Sequence, residues 1–163
     1  MEKEYLVPML TEEEACRRVG RAVELFRSGF NCSQSVTAAF ADLYGYTEEQ
    51  ALRMSASFGG GIGRMRQTCG AACGMLLLAG LATGSVEAAD REGKAANYAL
   101  VQSLAEEFRQ ANGGLVCADL LGLNREAPTP SRPEARTASY YAKRPCVKIV
   151  EEAAKIWANR LKK

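Results

Sequence analysis

The sequence contains no histidine. That removes the usual general base at neutral pH, the commonest zinc and copper ligand and the axial ligand of most haems. Ser-His-Asp sites, facial triads and Rieske clusters are therefore excluded. No charge of either sign is in excess: 21 Lys and Arg stand against 19 Asp and Glu, a net charge of +2. Such a balance gives no electrostatic case for nucleic acid or an anionic membrane surface. A long hydrophobic run is missing too. The stretch 67–86 is uncharged and about as long as the ~20 residues of a membrane span. Its apolar part, however, runs only from Met75 to Ala82 and is broken at Gly80. It reads as a buried core helix, in which Gly70, Gly74, Gly80 and Gly84 let another backbone approach closely. No membrane insertion is expected. The first residues, Met1 to Pro8, carry no signal-peptide core, and Arg17-Arg18 is not followed by an apolar run, so the cytoplasm is the expected compartment.

What is present suits one domain. The 163 residues are 47% hydrophobic and 25% charged, enough for a single core over 1–163. The pattern is all-α: a helical bundle with short loops and no sustained period-two alternation. After an N-terminal stretch 1–10 expected to be flexible, Thr11 and Glu14 form a capping box for a first helix that stops at Gly29. Asn31 caps a second, with Cys32, Val36, Ala39, Phe40 and Leu43 on one face up to Gly45, and Thr47 with Gln50 opens a short third. The glycine-rich turn Phe58 to Gly63 precedes a glycine-spaced helix from about Thr68 to Gly84. An amphipathic helix follows from about Val86 to Ala111, then a short segment from Cys117 to Leu121. Residues 123–144, holding Pro128, Pro130 and Pro133, form the one long loop, which Tyr140 and Tyr141 could dock onto the body. Pro145 starts a last helix with Cys146, Ile149, Val150, Ala153 and Trp157 on one face.

Six cysteines carry the chemistry: Cys16, Cys32, Cys69, Cys73, Cys117 and Cys146. Cys32, Cys69, Cys117 and Cys146 each fall in a predicted first helical turn at the head of an apolar stripe. Free amides and the positive dipole end collect there and favour thiolate. If the four helix starts converge, four inward thiolates form a complete ligand set for a negatively charged metal–sulfur cluster. Cys16, on the apolar stripe of the first helix, reads as a small buried hydrophobe. Cys73, one turn above Cys69, is an accessory candidate: a spare ligand, a resolving thiol or a small filler. Gly60 and Gly61 are accessory candidates through close backbone approach, the alternative being a tight turn between helices. Arg64 and Arg66 either screen the site or are solvated, with solvation expected for at least one of them.

The pieces Asn31-Cys32-Ser-Gln-Ser-Val36, Phe58 to Gly63, Cys69-Gly-Ala-Ala-Cys-Gly74, Cys117-Ala-Asp-Leu-Leu-Gly122 and Cys146 at the head of the last helix resemble, in this order, the redox-active family labelled by the pattern C, GCAxxG, C, C. The central element reads Cys-Gly-Ala, with its first two residues in the opposite order to the label. The resemblance implies an intracellular protein of mostly anaerobic prokaryotes, often encoded beside transporters or oxidoreductases. It also implies a distant kinship with the cluster-bearing part of split-Soret cytochromes. On that basis Cys32, Cys69, Cys117 and Cys146 are the metal ligands, and the cofactor is an iron–sulfur cluster of which [2Fe–2S] is the candidate type. Haem does not carry over, because histidine is absent. The expected function is electron transfer or redox sensing with a redox partner protein or oxidoreductase, in a monomer or homodimer. Two alternatives stay open: thiol–disulfide exchange without metal, and a structural zinc module that recruits a partner. The residues do not decide whether the protein is an enzyme.

Overall fold

A computed structural model describes residues 8–163. The described chain is all-α, with eight α-helices and no strand. They are α1 (Glu12–Arg27), α2 (Cys32–Ala38), α3 (Glu48–Ser55), α4 (Gly70–Thr83), α5 (Arg91–Asn112), α6 (Cys117–Leu120), α7 (Ala138–Lys143) and α8 (Cys146–Leu161). Short 3-10 turns cover Ala41–Tyr44 and Ala56–Phe58. Among the described residues no helix is long and apolar enough to cross a membrane.

Local chemistry explains where these helices start. Thr11 with Glu14, Asn31 with Gln34 and Thr47 with Gln50 each form a reciprocal capping box, which satisfies amide groups that a helix start leaves free. The second helix is shorter than the sequence suggests. It ends at Ala38, and Phe40 turns out of helical geometry (φ −131°) before a 3-10 turn closes on Gly45 in the left-handed region. That break buries Phe40 in the core, outweighing the periodicity that would have carried one helix to Leu43. The long amphipathic helix starts at Arg91 instead of near Val86, because the Asp90 side chain caps it through the Gly93 amide. The long loop is interrupted by α7, capped by Thr137. Of the stretch 1–10, residues 1–7 lie outside the described residues. Leu10 is buried and pairs with the far end of the chain, its amide bonding Leu161 O at 2.6 Å.

The core gathers around α4. Both its Met75/Leu78 and its Ala71/Ala72 sides are buried, as expected for a helix that is apolar all round. α2 packs on one side of α4 and α5 on another, while α1 and α8 pair and close the bundle with Phe26, Trp157 and Leu161. Only half of the glycine spacing serves contact. A Cβ on Gly74 would lie 2.8 Å from Ser33 O on α2, whereas around Gly80 there is nothing within 4 Å and Gly84 faces only its own helix. Cys16 departs from its expected place. It lies exposed beside Glu12, one step of about 100° off the face on which Ala15, Ala22 and Phe26 are buried.

Candidate functional site

Three helix starts carry a cysteine as their first residue: Cys32 on α2, Cys117 on α6 and Cys146 on α8. Cys69 is the N-cap residue of α4. A single antiparallel bridge, Thr68 with Val116, brings two of these starts together. The Cys69 amide donates to Leu115 O at 2.8 Å, and the Cys117 amide to Gln67 O at 2.6 Å. Cys32 joins them because α4 begins with a glycine. A Cβ on Gly70 would press into Cys32 Sγ and stand 2.8 Å from Phe58 O. Cys146 completes the set from the far side, at the head of α8. All four side chains line one cavity of about 680 Å³. Among the described residues no three His, Cys, Asp or Glu side chains stand close enough to share one metal ion.

The remaining accessory candidates divide. Gly60 lies on the cavity wall, and its amide points at the Cys32 sulfur. Gly61 is buried against Cys117: a Cβ there would lie 2.6 Å from Cys117 Cβ, and its own φ is +74°. Cys73 is not on the wall. Its thiol, 3.7 Å from Thr68 O, faces its own helix start.

The glycine turn is more than a hinge between helices. Besides Gly60, Gly61 and Gly63, three residues with side chains adopt positive φ: Ile62 (64°), Arg64 (63°) and Arg66 (59°). Such residues persist only where the surroundings hold them. Here cross-turn amide bonds do so, among them Gly63 N to Ser57 O at 2.7 Å and Gln67 N to Gly61 O at 2.9 Å. The result aims both arginines at the cavity, contrary to the expectation that at least one is solvated. Arg66 is only 8% exposed, and its Nη1 lies 3.7 Å from Cys117 Sγ.

The 123–144 segment forms the opposite wall. Arg64 donates to the carbonyls of Pro130 and Arg132, and Glu134 pairs with both Arg64 (3.8 Å) and Arg144. Arg136 donates to Phe26 O at 2.9 Å and Phe30 O at 3.0 Å. Its guanidinium stacks 4.4 Å from the Phe26 ring centre and 4.9 Å from that of Tyr140. Tyr141 packs edge-on against Phe26 and bonds Arg27 O, so the two tyrosines do dock the segment. Sequence reasoning missed Arg136, Arg144 and Glu134. Their only trace was a charged, aromatic stretch directly before Cys146.

Electrostatics inside the cavity differ from the expectation that helix starts favour thiolate. Burial pushes the Cys32 thiol up and the Cys69 thiol well above the usual range, while Cys146 and the neighbouring Cys73 are both pushed up to about 11. The Gly60 amide at Cys32 and the Ala71 and Ala72 amides facing Cys69 act in the other direction, but loss of water wins. Burial therefore favours the neutral thiol at these positions.

Comparison with known proteins covers the segment that holds these cysteines. Residues 30–160 match the family described as "Putative redox-active protein (C_GCAxxG_C_C)". The chain belongs to this family. All four cavity cysteines and the glycine turn fall within the matched residues. A protein of Archaeoglobus fulgidus, described as uncharacterized, is 28% identical over 157 residues, which cover 92% of this chain and 97% of that protein. No solved structure matches the chain.

Proposed function

We propose that this redox-active protein holds an iron–sulfur cluster on Cys32, Cys69, Cys117 and Cys146 and uses it for electron transfer or redox sensing. The observation that supports the reading is that four cysteines from four separate helix starts line one cavity. The donor set fits such a group. Four sulfur ligands are a full complement for a two-iron or four-iron cluster, [2Fe–2S] being the proposed type. When bound, the group supplies one-electron redox chemistry. The chain's own part is to hold and insulate it. The Gly60 amide and Arg66 offset negative charge on Cys32 and Cys117, and the 123–144 segment covers one side of the cavity. The proposed setting is the cytoplasm, with a redox partner protein or oxidoreductase exchanging the electron. Thiol exchange is less well supported, because the reactive species is the thiolate and burial opposes it at these cysteines.

The test is an absorption spectrum with iron, sulfide and zinc analysis on protein purified without oxygen. Visible charge-transfer bands with iron and sulfide are the expected result, and Cys117→Ser should lower both. Colourless protein that stays metal-free after anaerobic reconstitution with iron and sulfide would refute the reading. Zinc alone would do the same.

A further inference from the structure

The cavity wall carries positive charge beside its four cysteines. Arg64, Arg66, Arg136 and Arg144 face it, and among the described residues Glu134 is the one carboxylate on the wall. Three of the arginines are engaged. Arg64 and Arg144 share Glu134, and Arg136 spends its guanidinium on two carbonyls and two aromatic rings. Arg66 is different. It is more than nine-tenths buried and has no carboxylate within 4 Å among the described residues. Its Nε is buried with no hydrogen-bond partner among the described residues, and the residue as a whole lines the cavity. A buried guanidinium with a donor left free costs stability unless something occupies that donor. The contact with Cys117 Sγ uses Nη1 only. The backbone holds the residue in the left-handed region, at φ 59°, so its place is imposed by the turn and not chosen by the side chain.

We propose that this cavity binds a small oxyanion beside the cysteines, with Arg66 as its anchor. The guanidinium fork matches the two oxygens of a carboxylate or of a tetrahedral oxyanion. At about 680 Å³ the space falls in the range of small-molecule sites. The ligand is a small organic carboxylate or an inorganic oxyanion. The inference rests on the four cysteines marking this cavity as the site, not on the metal they bind.

Isothermal titration of the full chain, purified without oxygen, tests this with two arms of probes: acetate and malonate for carboxylates, phosphate and sulfate for inorganic oxyanions. One equivalent bound from one arm is expected, with affinity at least tenfold weaker in Arg66→Gln and partly restored in Arg66→Lys. Metal and sulfide content, measured on the same samples, report separately on the cluster. The proposal is overturned by wild-type protein that binds none of the probes, or by Arg66→Gln protein that binds them as tightly as wild type. Arg66 would then be a counter-charge to Cys117 alone. Amide hydrogen exchange on wild type does not depend on the variant folding. Saturating probe should slow exchange in 59–67 and 131–136, and no slowing there would overturn the proposal equally.

Discussion

Two glycines of α4 should respond in opposite directions to the same substitution. Gly70 sits where Cys32 and the glycine turn press against the helix start. A Cβ there collides with Cys32 Sγ, stands 2.8 Å from the Phe58 carbonyl oxygen and 3.3 Å from Gly59 Cα. Two of these neighbours are backbone, so the chain itself must move. Overpacking of this kind costs about 1–3 kcal/mol. Alanine recovers at most ~1 kcal/mol of helix propensity, and less in a first turn, so a net loss of about 1–2 kcal/mol is expected. For a chain of this size each kcal/mol is worth ~2–4 °C, which puts Gly70→Ala about 2–8 °C below wild type in Tm. Gly80 lies on the exposed side of the same helix with nothing within 4 Å of an added Cβ. There the propensity gain of about 0.5–1 kcal/mol stands unopposed, and Gly80→Ala should melt about 1–4 °C higher. Thermal unfolding followed by far-UV circular dichroism, with samples matched in metal content, reads both. A Gly70→Ala protein as stable as Gly80→Ala would refute the tight approach of α4 to Cys32 and the glycine turn.

Three further outcomes follow from the geometry. Arg136→Ala removes two charge-assisted bonds to the Phe26 and Phe30 carbonyls, worth roughly 1.5–3 kcal/mol each at most. It should free the Pro-rich segment for cleavage in limited proteolysis, and an unchanged digestion rate would count against that anchoring role. Tyr44 is an alkaline marker. Burial pushes its hydroxyl up to about 12, so the folded state keeps the proton that the unfolded chain loses near pH 10. Its contribution is therefore intact below pH 10 and lost as pH rises towards about 12, and Tyr44→Phe should lose less stability than wild type across that interval in urea titrations. On the acid side, the Arg18 fork holds the Asp42 carboxyl below its usual range. That stabilisation is present above the ordinary carboxylate value and lost as pH falls through the lowered one. Asp42→Asn and wild type should thus converge in stability towards low pH, and a gap that stays constant would remove the pair as its source.

Much of the local structure was legible in the chain. Capping residues and stop signals work within a few positions, so Thr11, Asn31 and Thr47 mark helix starts whatever surrounds them. The all-α class followed from periodicity, and the four cysteines at or beside helix starts followed from those same boundaries. Exposure of Cys16 and the break at Phe40 were not legible. Both depend on which neighbours fill the core, a choice made between segments and not within one.

The sequence by itself determined the chemistry available: thiols without histidine, balanced charge, glycines in a turn ahead of Cys69. Tertiary structure alone decided what that chemistry meets. The bridge between Thr68 and Val116 pairs segments far apart in the chain and seats Cys69 beside Cys117. Gly70 makes room for Cys32, α8 delivers Cys146, and the left-handed turn buries Arg66 against a sulfur. Burial then reversed the electrostatic effect of the helix starts at Cys32, Cys69 and Cys146, raising thiol pKa values that the isolated helices would lower. The reason is physical. Dipoles and caps are properties of a few consecutive residues, whereas desolvation is a property of everything packed around them.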